Sequence, residues 1–105
     1  MYVTVHVYRA RAGEEDAIVA LHEDWQRRLR ARAGGYLSRE LLHDIHDPRR
    51  FVAIAYYESE AVALAAAHDP EHAAWQRRLN SLAEEDPLCT SYYQVWHSGS
   101  KEGTR

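Results

Sequence analysis

The stretch YLSRELLHDIHDPRRFVAIAYY, residues 36–57, decides the fold because it predicts a β-hairpin in the middle of a short chain. Its two ends, residues 36–44 and 51–57, are strand-length runs rich in leucine, β-branched and aromatic residues. Between them, Asp47-Pro48 fits a turn, since proline presets the backbone angle of the first central turn position. We therefore predict two adjacent antiparallel strands.

The chain before the hairpin predicts a strand and then a helix. Residues 2–9, YVTVHVYR, alternate between valines on one face and tyrosine, threonine and histidine on the other. Residues 14–32 begin with acids and end with arginines, which suits a helix dipole, and the glycines that follow end that helix. The strand pattern leaves open whether the face of Val5 or the face of His6 is turned towards the helices.

The chain after the hairpin predicts an interrupted helix and a last strand. Ser59 can cap a helix that runs to about residue 85. The pair Asp69-Pro70 interrupts this helix, because the aspartate can cap and the proline fits the first position of a new helical segment. Residues 89–97, CTSYYQVWH, predict the fourth strand.

These elements follow the order β-α-β-β-α-β, which is the ferredoxin-like pattern of the α+β class. The order predicts a four-stranded antiparallel sheet with the helices on one face, formed by a single domain of residues 1–97. Residues 98–105 are polar, and we expect them to form a mobile tail. The second face of such a sheet is bare, and monomers rarely expose large apolar patches. We therefore predict a homodimer in which two bare faces pack together.

Composition narrows the classes of function. A formal net charge of −3 opposes a nucleic-acid-binding surface, which needs a basic excess. The single cysteine, Cys89, cannot form an internal disulfide, which fits a reducing compartment. The first ten residues lack a signal-peptide pattern, and no apolar run is long enough to span a bilayer. We expect a cytoplasmic protein that binds neither nucleic acid nor membranes.

The pentapeptide WQRRL occurs twice, starting at Trp25 and at Trp75. Each copy has a histidine three residues before its tryptophan. His22 therefore shares a helix face with Trp25, and His72 shares one with Trp75. Both faces belong to apolar stripes that a helix turns towards the sheet. Two interpretations stay open: the four side chains form the wall of a pocket, or they fill the core.

Four short motifs in the middle of the chain occur in a familiar order. They are Gly35-Tyr36-Leu37 at the start of the second strand, Asp47-Pro48-Arg49-Arg50-Phe51 in the hairpin turn, Tyr57-Glu58-Ser59 after the third strand, and Asp69-Pro70 before the last helical segment. With these motifs the chain resembles the antibiotic biosynthesis monooxygenase family, of the dimeric α/β-barrel superfamily. The resemblance implies ferredoxin-like chains whose sheets pair to form a dimeric α/β barrel.

Members of that family include oxygenases of polyketide aromatics, quinol oxygenases and haem-degrading oxygenases. The positions that match the functional residues of the haem-degrading branch hold His6, Ala66 and Gln76 here, so the resemblance does not imply haem degradation. In the polyketide oxygenases an arginine of the last helix lies near the substrate. Arg77 or Arg78 matches that arginine, and the spacing leaves the choice between them open.

We interpret the sequence as that of a small monooxygenase that oxidises a planar aromatic substrate, polyketide-like or quinol-like, with O₂ and with neither a metal nor another cofactor. The substrate loses a proton and then supplies an electron to oxygen. The candidate residues have three roles: one of His22, His72 and His6 accepts the proton, Trp25, Trp75 and Tyr57 form the aromatic slot, and either Arg77 or Arg78 stabilises negative charge. The alternative is a non-catalytic module that binds a small ligand or a partner, which a filled core would favour.

Overall fold

The computed structural model describes residues 1–98 and has the predicted ferredoxin-like architecture of the α+β class. Its elements are β1 (Tyr2–Arg9), α1 (Glu15–Arg28), β2 (Tyr36–His43), β3 (Arg50–Tyr57), α2 (Glu60–Ala67), α3 (Pro70–Leu82) and β4 (Leu88–Tyr93), with a short 3₁₀ turn at Arg30–Arg32. All strand pairs are antiparallel, and the sheet order is β2-β3-β1-β4. Apart from Ser98, the predicted tail lies outside the described residues.

The β2–β3 hairpin contains a β-bulge that decides which side chains of β2 face the helices. The register shifts between Tyr36, which pairs with Tyr57, and Ser38, which pairs with Tyr56. A shift of one residue reverses the alternation of a strand. Tyr36 and Arg39 are three residues apart, yet both lie on the inner face of the sheet, since Arg39 pairs with the buried Ala55.

A glycine fixes the start of β2 against α2. Gly35 has φ +90°, which favours glycine, and a Cβ atom there would lie 2.7 Å from Cγ2 of Val62. Its carbonyl oxygen accepts a hydrogen bond of 2.9 Å from the backbone N–H of Glu58, directly after β3. The predicted Gly-Tyr-Leu motif therefore begins with the one residue type that allows this close approach.

The structure resolves which face of β1 packs against the helices. Tyr2 and Tyr8 are buried at 8% and 4% exposure, and His6 lies on the same face between them. The opposite face carries the valines of β1 together with Val52, Ile54 and Tyr56 of β3. Leu42, Leu88 and Tyr92 extend this outer face, and they are 49%, 72% and 55% exposed. No element of residues 1–98 covers the outer face.

The last helix is three residues shorter than predicted. It ends at Leu82 rather than near residue 85, because Ala83 is extended (φ −99°, ψ 152°) and forms a bridge with Ala10. The backbone N–H of Glu84 then donates to the carbonyl oxygen of Arg9 over 2.8 Å. The backbone groups of Ala83 and Glu84 therefore pair with the end of β1 and are not available for another turn of α3.

The fourth strand is also shorter than predicted, since it ends at Tyr93 rather than at residue 97. β4 is an edge strand whose single neighbour is β1, and β1 begins at Tyr2. A last backbone hydrogen bond of 3.0 Å joins the N–H of Gln94 to the carbonyl oxygen of Met1. Beyond this point no strand remains to pair with, and Trp96 is 77% exposed.

The repeated tryptophans join α1 to α3 above the sheet. Nε1 of Trp75 donates to the carbonyl oxygen of Leu21 over 2.7 Å, and Nε1 of Trp25 donates to Nδ1 of His72 over 2.9 Å. The two indoles are only 3% and 1% exposed. Each copy of WQRRL therefore supplies a core indole whose single polar group is satisfied by the other helix.

We expect Trp25→Ala and Trp75→Ala each to lower the free energy of unfolding by about 3–5 kcal/mol, because each change leaves a large cavity between α1, α3 and the sheet. Trp96→Ala is the matched control, and its exposed side chain should contribute within about 0.5 kcal/mol. Urea melts followed by circular dichroism measure all three. Equal stability of the Trp75→Ala and Trp96→Ala variants would contradict a core role for the repeat.

Candidate functional site

A cleft of about 630 Å³ lies between the inner face of the sheet and the helices α2 and α3. The sheet contributes Thr4 and His6 from β1, Arg39 from β2 and Tyr57 from β3. The helices contribute apolar residues of α2 and, from α3, His72, Gln76 and Arg77. This volume lies in the range of small-molecule sites, and the mixture of apolar walls with a few polar groups is typical of them.

Four of the eight candidate site residues line this cleft: His6, His72, Tyr57 and Arg77. The other four, His22, Trp25, Trp75 and Arg78, do not. His22 and the two tryptophans are buried in the core below the cleft, while Arg78 is exposed. Adjacent residues of a helix point about 100° apart, so only one of the two arginines can face the cleft.

His72 presents a hydrogen-bond donor to the cleft. The indole N–H of Trp25 can only donate, so the Nδ1 atom that it contacts must be the acceptor, and Nε2 carries the proton of the neutral ring. Burial, and then the positive charge of Arg39, lower the pKa of His72 to about 4. The ring is therefore neutral near pH 7, with its one free lone pair already occupied.

His22 lies outside the cleft and forms a buried pair with Tyr8. Nε2 of His22 is 2.8 Å from the Tyr8 hydroxyl, and Nδ1 has no hydrogen-bond partner among the described residues. Burial is the main cause that lowers the pKa of His22 to about 3, and burial also raises the pKa of Tyr8. The pair is neutral and closed off from a ligand in the cleft.

His6 is the imidazole of the cleft that retains a free lone pair. Its ring makes no hydrogen bond within residues 1–98, and β1 places it beside Cys89 of β4 on the inner face. Burial, followed by the charge of Arg39, lowers the pKa of His6 below its usual value. At neutral pH it is unprotonated, which is the state that a general base requires.

Arg39 is the main residue of the cleft that the sequence did not indicate. Its guanidinium carbon lies 4.1 Å from the ring centroid of Trp25 and 5.2 Å from that of Trp75, so it stacks on both repeated indoles. Nε and Nη1 are buried and have no hydrogen-bond partner in the described part of the chain. Burial lowers the pKa of Arg39, opposed by its neighbours Tyr57 and Tyr36.

The sequence pattern did not indicate Arg39 as a site residue, and the structure shows why. In the sequence, Arg39 stands in the polar stretch Ser38-Arg39-Glu40, which resembles the solvated part of an edge strand. Only the register shift after Tyr36 brings Arg39 to the inner face, and β-bulges have no reliable sequence pattern of their own.

Within residues 1–98 no group of three or more histidine, cysteine or acidic residues is arranged to hold a metal ion. His43 and His46, at the hairpin end, are both exposed. In the same part of the chain, no helix is long and apolar enough to cross a membrane.

The fold and the cleft define a class of small α+β domains with a cleft between a four-stranded sheet and its helices. The family described as antibiotic biosynthesis monooxygenase matches residues 1–78, and the chain belongs to that family. No curated protein matches the chain.

Three solved structures illustrate the similarity of fold. A mutant of SnoaB, a cofactor-independent oxygenase from Streptomyces nogalater, superposes with a TM-score of 0.81 at 16% identity, covering 91% of this chain and 94% of that one. Rv0793 from Mycobacterium tuberculosis gives 0.79 at 15% identity, covering 93% and 98%. A protein of Nitrosomonas europaea gives 0.77 at 20% identity, covering 91% and 100%. At these identities the likeness shows the fold alone.

We expect the protein to lose stability as the pH falls from about 6.5 to 4.5. The folded pKa values of His22 and His72 lie below the ordinary value, so in this window the unfolded chain binds more protons than the folded one. Each of these histidines then lowers the free energy of unfolding by about 1.4 kcal/mol per pH unit. Above this window their contribution is fully present.

Urea melts between pH 7 and pH 4.5 measure this slope. His72→Gln should reduce it by about 1.4 kcal/mol per pH unit, since glutamine can still accept the Trp25 hydrogen bond but does not titrate. The control is His68→Gln, at an exposed position at the end of α2, which should leave the slope unchanged. An unchanged slope in His72→Gln would show that His72 is protonated as easily in the folded state as in the unfolded state.

Proposed function

We propose that this protein is a cofactor-independent monooxygenase that oxidises a planar, electron-rich aromatic substrate with O₂. The proposal is carried by one observation: the same cleft is lined by an imidazole without a hydrogen-bond partner within residues 1–98, His6, and by the aromatic side chain of Tyr57. Membership of the antibiotic biosynthesis monooxygenase family supports it, and SnoaB, described as a cofactor-independent oxygenase, shares the fold.

In this proposal each residue of the cleft has a distinct role. His6 removes a proton from the substrate, because its lone pair is free and its lowered pKa keeps it unprotonated at neutral pH. His72 donates a hydrogen bond from Nε2 to a substrate oxygen. Tyr57 forms part of the aromatic slot, and Arg77 contributes positive charge where α3 meets the cleft.

The remaining candidates, His22, Trp25, Trp75 and Arg78, do not line the cleft and are not assigned a contact with the substrate. Trp25 orients His72 through the indole hydrogen bond, and Trp75 packs edge-on against His22 at a ring-centroid distance of 5.1 Å. His22 is held by Tyr8 and has no access to the cleft, so we assign the proton transfer to His6.

The proposed chemistry needs no reductant besides the substrate. Deprotonation of an aromatic carbon acid gives a carbanion, which transfers one electron to O₂. The resulting substrate radical and superoxide combine to form a carbon–oxygen bond, and the hydroperoxide breaks its O–O bond with loss of water. A CH₂ group thus becomes C=O: the substrate supplies four electrons, one oxygen atom stays in the product and the other leaves as water.

Oxygen uptake with an anthrone and a quinol tests the proposal. We expect protein-dependent uptake of one O₂ per anthrone oxidised. The rate should fall as the pH drops through the lowered pKa of His6, at a lower pH than an exposed imidazole would give. His6→Gln should lower the rate about 10²–10⁴-fold. His68→Gln is the control. Tight binding of either compound without uptake above the protein-free rate would favour the non-catalytic ligand-binding module.

We further propose a homodimer formed by packing two sheets through their outer faces. The outer face carries the β1 valines and Ile54 next to strongly exposed residues such as Leu88 and Tyr92. Such a surface is costly in water, and a two-fold partner that presents the same face covers it on both chains. The family belongs to a superfamily of paired sheets, which supports the same arrangement.

Light scattering at micromolar concentration should report twice the 12.1 kDa mass of one chain. Val5→Lys, at the centre of the outer face opposite Ile54, should give a monomer because the dimer would bury two unpaired charges. Val19→Lys introduces the same charge at an exposed site on α1 and should remain dimeric. A monomeric parent protein would refute the proposed interface.

A further inference from the structure

We infer that Arg39 binds an anionic oxygen of the ligand, so that the substrate of this cleft is an aromatic acid. The anionic oxygen belongs either to an ionised aromatic hydroxyl or to a carboxylate. The inference rests on the same cleft as the proposed function and adds the charge of the substrate to it.

No carboxylate within residues 1–98 compensates the charge of Arg39 with an ion pair. The phenol of Tyr57 is a hydrogen-bonding neighbour of the side chain, but two of the three guanidinium nitrogens have no hydrogen-bond partner. The faces of Trp25 and Trp75 attract the cation, but indole rings do not accept hydrogen bonds from its N–H groups as an oxygen does. A buried charge without such partners is costly, and proteins rarely retain one without a use for it.

The histidines around Arg39 are neutral at pH 7. His6, His22 and His72 all have lowered pKa values, and the charge of Arg39 is a cause in each case. Burial raises the pKa of the phenols of Tyr8 and Tyr36, which also lie near Arg39. The carboxylate of the cleft, Asp86, is exposed and forms no ion pair with Arg39. The inner part of the cleft therefore carries one positive charge and no negative one.

Arg39 shares the cleft with two imidazoles. Arg39 lines the cleft together with His6 and His72, so a ligand that contacts either imidazole also comes close to the guanidinium. Stacking on two indoles holds the planar group in one orientation, which reduces the entropy that binding would cost. A fixed cation favours the ionised form of an aromatic hydroxyl, which releases its proton to solvent and leaves the lone pair of His6 free.

Equilibrium binding under nitrogen tests this inference separately from any oxidation. For a carboxylate, the probes are 2-naphthoate and its neutral counterpart 2-naphthamide. We expect the parent protein to prefer 2-naphthoate by about 10–100-fold, the range for a hydrogen bond to a charged group, and Arg39→Gln to abolish the preference.

For a hydroxyl, the probe is alizarin, whose visible spectrum reports ionisation. Binding should lower its first pKa by at least one unit in the parent protein but not in Arg39→Gln.

The control variant is Arg50→Gln, which removes the same charge from an exposed strand arginine outside the cleft and should behave as the parent does. Arg39→Lys keeps the charge and should retain a preference for the anion. A response to 2-naphthoate alone identifies a carboxylate as the anionic group, and a response to alizarin alone identifies an ionised hydroxyl. If the parent protein binds the two naphthyl probes equally and leaves the pKa of alizarin unchanged, the inference is wrong.

The melting temperature of an Arg39→Met variant distinguishes a packing role of Arg39 from a ligand-binding role. If the guanidinium only fills space between the two indoles, Arg39→Met should melt at a lower temperature than the parent, with 2-naphthoate affinity unaffected. If Arg39 is an unpaired charge kept for ligand binding, methionine should raise the melting temperature by about 4 °C or more, since it fills similar volume without a buried charge. Anion preference without oxygen uptake would leave this inference standing and remove the proposed oxygenase activity.

Discussion

Two indole N–H groups fix the position of α1 relative to α3 above the sheet. Trp75 of α3 donates to a carbonyl oxygen of α1, and Trp25 of α1 donates to His72 of α3. Because each bond runs to the opposite helix, displacing either helix would leave a buried N–H group unsatisfied, which costs more than the bond itself contributes. Arg39 stacks on the same two rings, so the helix packing and the position of Arg39 in the cleft both depend on Trp25 and Trp75.

Burial of these groups sets the electrostatic character of the cleft. Burial is the first cause of the lowered pKa of all three inner histidines, and the charge of Arg39 is the second. The imidazoles are thereby kept neutral, while arginine retains its proton because its ordinary pKa is so high. One fixed cation surrounded by neutral donors and acceptors is an arrangement that selects for a ligand with the opposite charge. The outer face of the same sheet carries the valines of β1 together with Val52 and Ile54, with Glu40 of β2 paired to Ile54, and its apolar centre is suited to packing.

Local sequence signals predicted the elements and their order well. The side chain of Ser59 accepts a hydrogen bond from the N–H of Val62, and that of Asp69 accepts one from Glu71, so both helix caps are confirmed. Three predicted ends were wrong. α1 ends at Arg28, before a 3₁₀ turn, rather than at residue 32. The ends of α3 and β4 depend on contacts with β1, which lies about eighty residues away in sequence. Propensity and periodicity describe neighbours along the chain, and a strand or helix end that a distant partner determines is outside their range.

The sequence by itself determined the four strands, the interrupted helix, the repeated histidine–tryptophan faces and the family, because each depends on residue type at short spacing. Only the tertiary structure decided that the face of His6 is the inner one, that His72 borders the cleft while His22 is sealed beneath it, and that Arg39 points inward. The physical reason is the same in all three cases. Which face of an element is buried depends on what packs against it. In β2 a single bulged residue reverses which side chains point towards the helices.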